Sequence, residues 1–116
     1  MRRYRVPVTT GDRIKADLAL SLVSAATGVP SERMAGERLG PDAVRARWLA
    51  LYLAHVGHGW PLERVGHAFG VNRATASSAC RWVEDERDSP RLDRLLDRLE
   101  ALLREVCEAP RLELAR

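Results

Sequence analysis

The chain lacks a glycine-rich phosphate loop and any G-x-G-x-x-G, H-E-x-x-H or C-x-x-C motif. It therefore carries no common signature of nucleotide binding, metalloprotease chemistry or a zinc ribbon. Nothing in it argues for an enzyme, and no metal, cofactor or small-molecule substrate is expected. Cysteine is scarce. Cys80 and Cys107 make a poor disulfide framework, which points to a reducing, cytoplasmic setting. Aromatic residues are only 5% of the chain. Apolar runs are short: Leu18 to Ala26 is interrupted and far below the roughly 20 residues of a membrane span. The basic start, Met1 to Arg5, is not followed by an apolar core or a small-residue cleavage site, so no signal peptide is expected. Lysine is nearly missing, because 18 of the 19 cations are arginine.

What is present fits one domain. The chain has 116 residues with 46% hydrophobic content, enough to bury a core. Its charge is uneven. Residues 1–81 hold 12 Lys+Arg against 6 Asp+Glu, a net of +6, and residues 82–116 hold 7 against 10, a net of −3. A local cationic excess suggests a polyanionic partner. Arginine suits bidentate contacts to phosphate and guanine. A GC-rich genome also enriches arginine, but that does not explain the asymmetry.

Residues 1–11 read as a loose N-terminal arm, 12–108 as the domain and 109–116 as a C-terminal tail. A helix is expected over about Asp12 to Thr27. Ile14, Leu18, Leu22 and Ala26 recur on its buried face, with Ala25 in that stripe and Ala19 and Val23 at its border. Gly28 ends this helix, and Ser31 caps a short one through Ala35. Pro41 and Asp42 suit the first turn of a helix reaching His55 or Val56. Val44, Trp48, Leu51, Tyr52 and His55 mark one face there, widened by Leu49 and Leu53. Pro61 opens a helix to Phe69, ended by Gly70. Asn72 caps a helix over 73–87 whose Ala76, Ala79, Cys80 and Val83 form the buried stripe. After Asp88-Ser89-Pro90, a last helix from Arg91 to Cys107 carries Leu92, Leu95, Leu96, Leu99, Leu102, Leu103 and Val106 at helical period. The predicted fold class is all-α: a helix–turn–helix domain of five main helices and one short one.

The segment from Pro61 to Glu84 carries the functional signal. Gly70-Val71-Asn72 is a tight link between two helices, and Ala68, Ala76 and Ala79 are small enough for close helix contact. Opposite the buried stripe of the second helix lie Ala74, Ser78 and Arg81, flanked by Arg73 and Ser77. Short hydroxyl side chains and arginines on such a face suit base edges and phosphates. No acid occurs between Glu63 and Glu84. An ordinary helical corner with a solvated face would share much of this pattern.

Three stretches also resemble a known family. They are Arg45-Ala46-Arg47-Trp48-Leu49-Ala50-Leu51-Tyr52-Leu53-Ala54, Leu62-Glu63-Arg64-Val65-Gly66-His67-Ala68-Phe69-Gly70 and Ala79-Cys80-Arg81-Trp82-Val83-Glu84. Together they resemble the C-terminal DNA-binding domain of the bacterial replication initiator DnaA, whose pattern reads R-x-R, then L-P-E-I-G-x-A-F-G, then A-C-R-K-I-E. The likeness covers about residues 12–103. It implies a helix–turn–helix fold that inserts the helix at 73–87 into a major groove, with Arg45 and Arg47 on phosphates. Aligned backwards from Cys80, the family's D-H-T-T reading segment falls on Asn72-Arg73-Ala74-Thr75, where only Thr75 is kept. The family's next His falls on Ser78. The basic loop ahead of the R-x-R helix is here Gly36 to Pro41, much less basic, with Arg38. The scaffold is matched and the base-reading segment is replaced, so a different target sequence is implied.

The expected DNA-contacting set is Arg38, Arg45, Arg47, Asn72, Arg73, Ala74, Thr75, Ser77, Ser78 and Arg81. The expected partner is double-stranded DNA, in a cytoplasmic, nucleoid-associated transcription regulator or replication factor. The leucine-rich last helix leaves room for a homodimer seam. The alternative is a protein-interaction module of the same fold that has lost DNA binding; the altered reading segment favours it, and the +6 excess favours DNA. His55 and His58 are too isolated to make a metal site, and His67 is expected to face solvent or phosphate. Cys80 is expected in the core, Trp48 and Trp82 as packing anchors, and Trp60 as a staple at the start of the next helix. Glu84-Asp85-Glu86 is expected to be solvated and turned away from DNA.

Overall fold

Leu49 to Ala54 are consecutive apolar residues, and a helix apolar on every side must be covered on every side. The computed structural model describes residues 8–36 and 38–115 and meets that demand. Six helices follow in chain order: α1 Thr10–Thr27, α2 Ser31–Met34, α3 Pro41–Gly57, α4 Leu62–Phe69, α5 Arg73–Glu86 and α6 Pro90–Glu108. No strand occurs among the described residues. Helix α3 lies at the centre and touches the other five. Leu49, Ala50, Leu51, Tyr52, Leu53 and Ala54 are all buried, so over residues 49–54 the single expected face widens to the whole circumference.

Two apolar clusters form on opposite sides of α3. The larger joins Ala19 and Val23 of α1, Met34 of α2, Val83 of α5, and Leu96, Leu99 and Leu103 of α6. The smaller joins Leu51 and Ala54 to Trp60, Val65, Ala76 and Ala79, beneath the α4–α5 corner. Each large aliphatic buried this fully contributes about 2 kcal/mol.

Helix α1 starts at Thr10, two residues earlier than expected, because Thr9 Oγ1 accepts from the Asp12 amide at 3.1 Å and caps it. Residues 1–7 of the expected arm lie outside the described residues. The buried face of α1 is also rotated from the expected stripe. Ala16, Ala19 and Val23 are buried, Leu18 and Leu22 only half-buried, Ala25 and Ala26 exposed, and Ile14 is 64% exposed. The cause is close packing. Ala19 shares its cluster with Ala43, Ala46 and Ala50 of α3, and small residues let two backbones approach where the larger aliphatics cannot. Residues 109–115 are exposed and carry no regular structure.

Arg87 ties the end of α5 to α6. Its guanidinium meets Asp93 at 2.6 Å, Glu100 at 2.9 Å and Asp97, and it donates to Tyr52 Oη at 3.0 Å. Tyr52 in turn donates to Glu84 at 2.9 Å. The carboxylates around Arg87 hold its pKa above the ordinary arginine range despite burial.

Candidate nucleic-acid interface

Helix α4, the turn Gly70-Val71-Asn72 and helix α5 form a helix–turn–helix. Its turn is built by local chemistry. Gly70 adopts φ +71°, a left-handed conformation that glycine takes without strain. The amides of Gly70 and Val71 both donate to the Gly66 carbonyl, the latter at 2.9 Å, closing the end of α4. Asn72 Oδ1 accepts from the Thr75 amide at 2.7 Å and starts α5. Ala76 and Ala79 are fully buried at the corner, and Ala68 packs against it. The tightest point is Gly66, where a Cβ would lie 2.6 Å from the Val71 carbonyl oxygen. The composition-based choice of alanines missed it. Its signal was a glycine inside a short helix, four residues before the glycine that ends it.

Helix α5 buries Ala76, Ala79, Cys80 and Val83, the expected stripe. Arg73, Ala74, Ser78 and Arg81 are exposed on the other side, and Ser77 is half-buried beside them. Thr75 is half-buried and lines a cavity of about 300 Å³ with Leu39, Val44, Arg47, Trp48, Leu51 and Val71. It thus departs from the exposed set. Asn72 is exposed, but its side-chain oxygen is committed to the cap.

Two further arginines precede residues that pack near α5. Arg38 directly precedes Leu39, which lines the same cavity as Val71 and Thr75 of the turn and α5. Arg45 lies one turn before Trp48 on α3, and the Trp48 ring meets Trp82 of α5 edge-on at 5.5 Å. Arg45 therefore lies along the edge of α3 that borders α5. Both are exposed. Arg38, Arg45, Arg73 and Arg81 make no ion pair with another described residue. The first turn of α5 contains no acid, so its positive helix-dipole end is uncompensated.

The chain matches no family model, no curated protein and no solved structure.

Arg47 has a different position from Arg45. Its guanidinium is half-buried and Nη2 donates to the Phe69 carbonyl at 3.0 Å, at the end of α4. Desolvation lowers its pKa below the ordinary arginine value, although a guanidinium remains charged. It ties α3 to the helix–turn–helix corner.

The other cations divide along the same line. Arg33 makes a two-point contact with Asp42, joining α2 to α3. Arg64 pairs with Asp12 of α1 at 2.7 Å and lies 4.7 Å over the Trp60 ring. Trp60 is 2% exposed, seated where α4 begins. The histidines serve structural contacts. His55 Nδ1 donates to the Trp60 carbonyl at 2.6 Å and His58 Nε2 to the Lys15 carbonyl at 3.0 Å, since a carbonyl can only accept. His67 is half-buried. Glu84, Asp85 and Glu86 are exposed at the far end of α5, well removed from Arg73. Among the described residues, no helix is long and apolar enough to cross a membrane.

Proposed function

We propose that this protein binds double-stranded DNA by inserting the N-terminal half of α5 into a major groove, as a transcription regulator or a replication-associated factor. The carrying observation is the α5 face itself. Arg73, Ala74, Ser78 and Arg81 are exposed, as are Arg38 and Arg45, none of these four arginines makes an ion pair with another described residue, and no acid lies from Arg64 to Val83. Short side chains at 74 and 78 allow a helix to approach base edges, and arginines at its start and rim meet phosphates and guanines. The resemblance to the DNA-binding domain of DnaA supports the same reading.

The contacts divide by position. Arg45 and Arg38 hold the backbone, and Arg73 and Ser78 read bases. Arg47 contributes through the corner that it braces. Selection of bound sequences from a random duplex pool tests this directly, followed by Arg45→Ala and Arg73→Ala on a selected and a scrambled duplex. Arg45→Ala weakens both duplexes by a similar factor. Arg73→Ala weakens the selected duplex by an additional ~1–3 kcal/mol, the usual cost of a lost base contact. A pool that yields no enriched duplex refutes the proposal and favours the alternative, a domain of this fold that docks a protein partner.

A further inference from the structure

We propose that α6 pairs with a second copy of itself, antiparallel, about a two-fold axis at Leu102. Three features of the exposed side of α6 lead there. First, it has an apolar seam. Leu95 is half-buried at the core edge, Leu102 is 45% exposed and Val106 60% exposed, although each falls at the helical period of the buried leucines. The expected seven-residue core stripe is therefore split: Leu96, Leu99 and Leu103 face α3, and Leu102 and Val106 do not.

Second, Leu95, Leu102 and Ala109 recur every seven residues, with Arg91, Arg98 and Glu105 at the same interval beside them, so these residues share one strip along α6. Third, its charges are segregated. Arg91, Arg94 and Arg98 occupy the first half of α6, and Glu105 and Glu108 the last turn, all exposed and none in an ion pair with a described residue. The last turn contains no basic residue. Within one helix this order is unfavourable, because cations then sit toward the positive end of the dipole and anions at the negative end. An antiparallel second copy reverses both relations. With Leu102 against its own copy, Arg98 faces Glu105 of the second molecule, and Arg94 faces Glu108. A parallel pair would instead set Arg98 against Arg98. The charge order thus selects a two-fold, self-complementary contact.

The seam is a single helix wide, narrower than the face of a standard stable interface, so association in the micromolar range is expected. The pairing does not depend on DNA binding, and its test uses no DNA.

Sedimentation of the full chain over a concentration series, with circular dichroism to verify folding, provides that test. The wild type is expected to shift from monomer to dimer. Leu102→Asp abolishes the shift. Arg98→Glu and Glu105→Arg each weaken association by about tenfold or more, because attraction becomes repulsion at two symmetric places. The double reversal R98E/E105R restores it. In a Cys107→Ser background, Leu102→Cys forms a disulfide with its own copy on oxidation. A wild type that stays monomeric to about 100 µM, well above the expected range, refutes the proposal. A dimer insensitive to Arg98→Glu and Leu102→Asp refutes it as well, because the contact then lies elsewhere.

Discussion

Replacing Gly66 with alanine tests the helix–turn–helix corner at its tightest point. The added Cβ would lie 2.6 Å from the Val71 carbonyl oxygen, against an ordinary C···O contact of about 3.3 Å. The obstacle is backbone, so it cannot rotate away as a side chain would. The same turn is pinned from the other direction, because the Val71 amide donates to the Gly66 carbonyl at 2.9 Å. Two effects oppose one another. Glycine to alanine inside a helix favours folding by about 1 kcal/mol. Overpacking that displaces a backbone costs about 1–3 kcal/mol, and the strained turn hydrogen bond adds about 1. The clash wins, with a net loss of about 2 kcal/mol, or a fall of about 8 °C in melting temperature for a domain of this size. Gly11→Ala is the control. It adds a methyl to α1 with nothing within 4 Å and should leave stability unchanged or slightly raised. Thermal melts and urea titrations followed by circular dichroism measure both. Gly66→Ala should also weaken duplex binding at temperatures where it remains folded, since α5 is displaced from α4. A Gly66→Ala protein as stable as the wild type would refute the close approach and the corner geometry that depends on it.

Arg87→Met should destabilise the fold by about 3 kcal/mol in urea titration, because it leaves the mostly buried Glu100 carboxylate without its cation; Arg33→Ala, whose partner Asp42 is exposed, should leave the titration midpoint nearly unchanged. Burial lowers the pKa of His58 below the ordinary imidazole value, so the unfolded chain holds that proton more tightly. Its contribution is therefore complete above about pH 6.5 and is lost as pH falls through the folded value; the melting temperature should drop from pH 7.5 to pH 5.5, and His58→Asn should flatten that slope. Burial also pushes the Cys80 thiol up to about 11, so at pH 8 a maleimide should label Cys107 and leave Cys80 unmodified until the chain unfolds.

Helix ends were legible because they are local. Gly28 and Gly70 with positive φ, Pro41 at a helix start and Asn72 as a cap each act within a few residues of their own position. The buried stripe of α5 was legible too, since Ala76, Ala79, Cys80 and Val83 contrast sharply with the polar residues opposite. The orientation of α1 was not, because periodicity weights large aliphatics while this helix packs through alanine. Arg47 and Arg45 look alike in an R-x-R motif, yet a rotation of two positions along α3 sends one to the Phe69 carbonyl and the other to the surface. The hub at Arg87 was hidden for a related reason: it depends on Tyr52 and Glu100, far apart in the chain.

The salt dependence of duplex affinity tests the DNA-binding proposal most directly. If Arg38, Arg45 and Arg81 neutralise phosphates while Arg73 reads bases, counterion release sets a slope of about −2.7 for log affinity against log salt. Arg45→Ala should make that slope shallower by about 0.9. A duplex affinity that stays flat between low and moderate salt, or no duplex binding at any salt, would contradict the account.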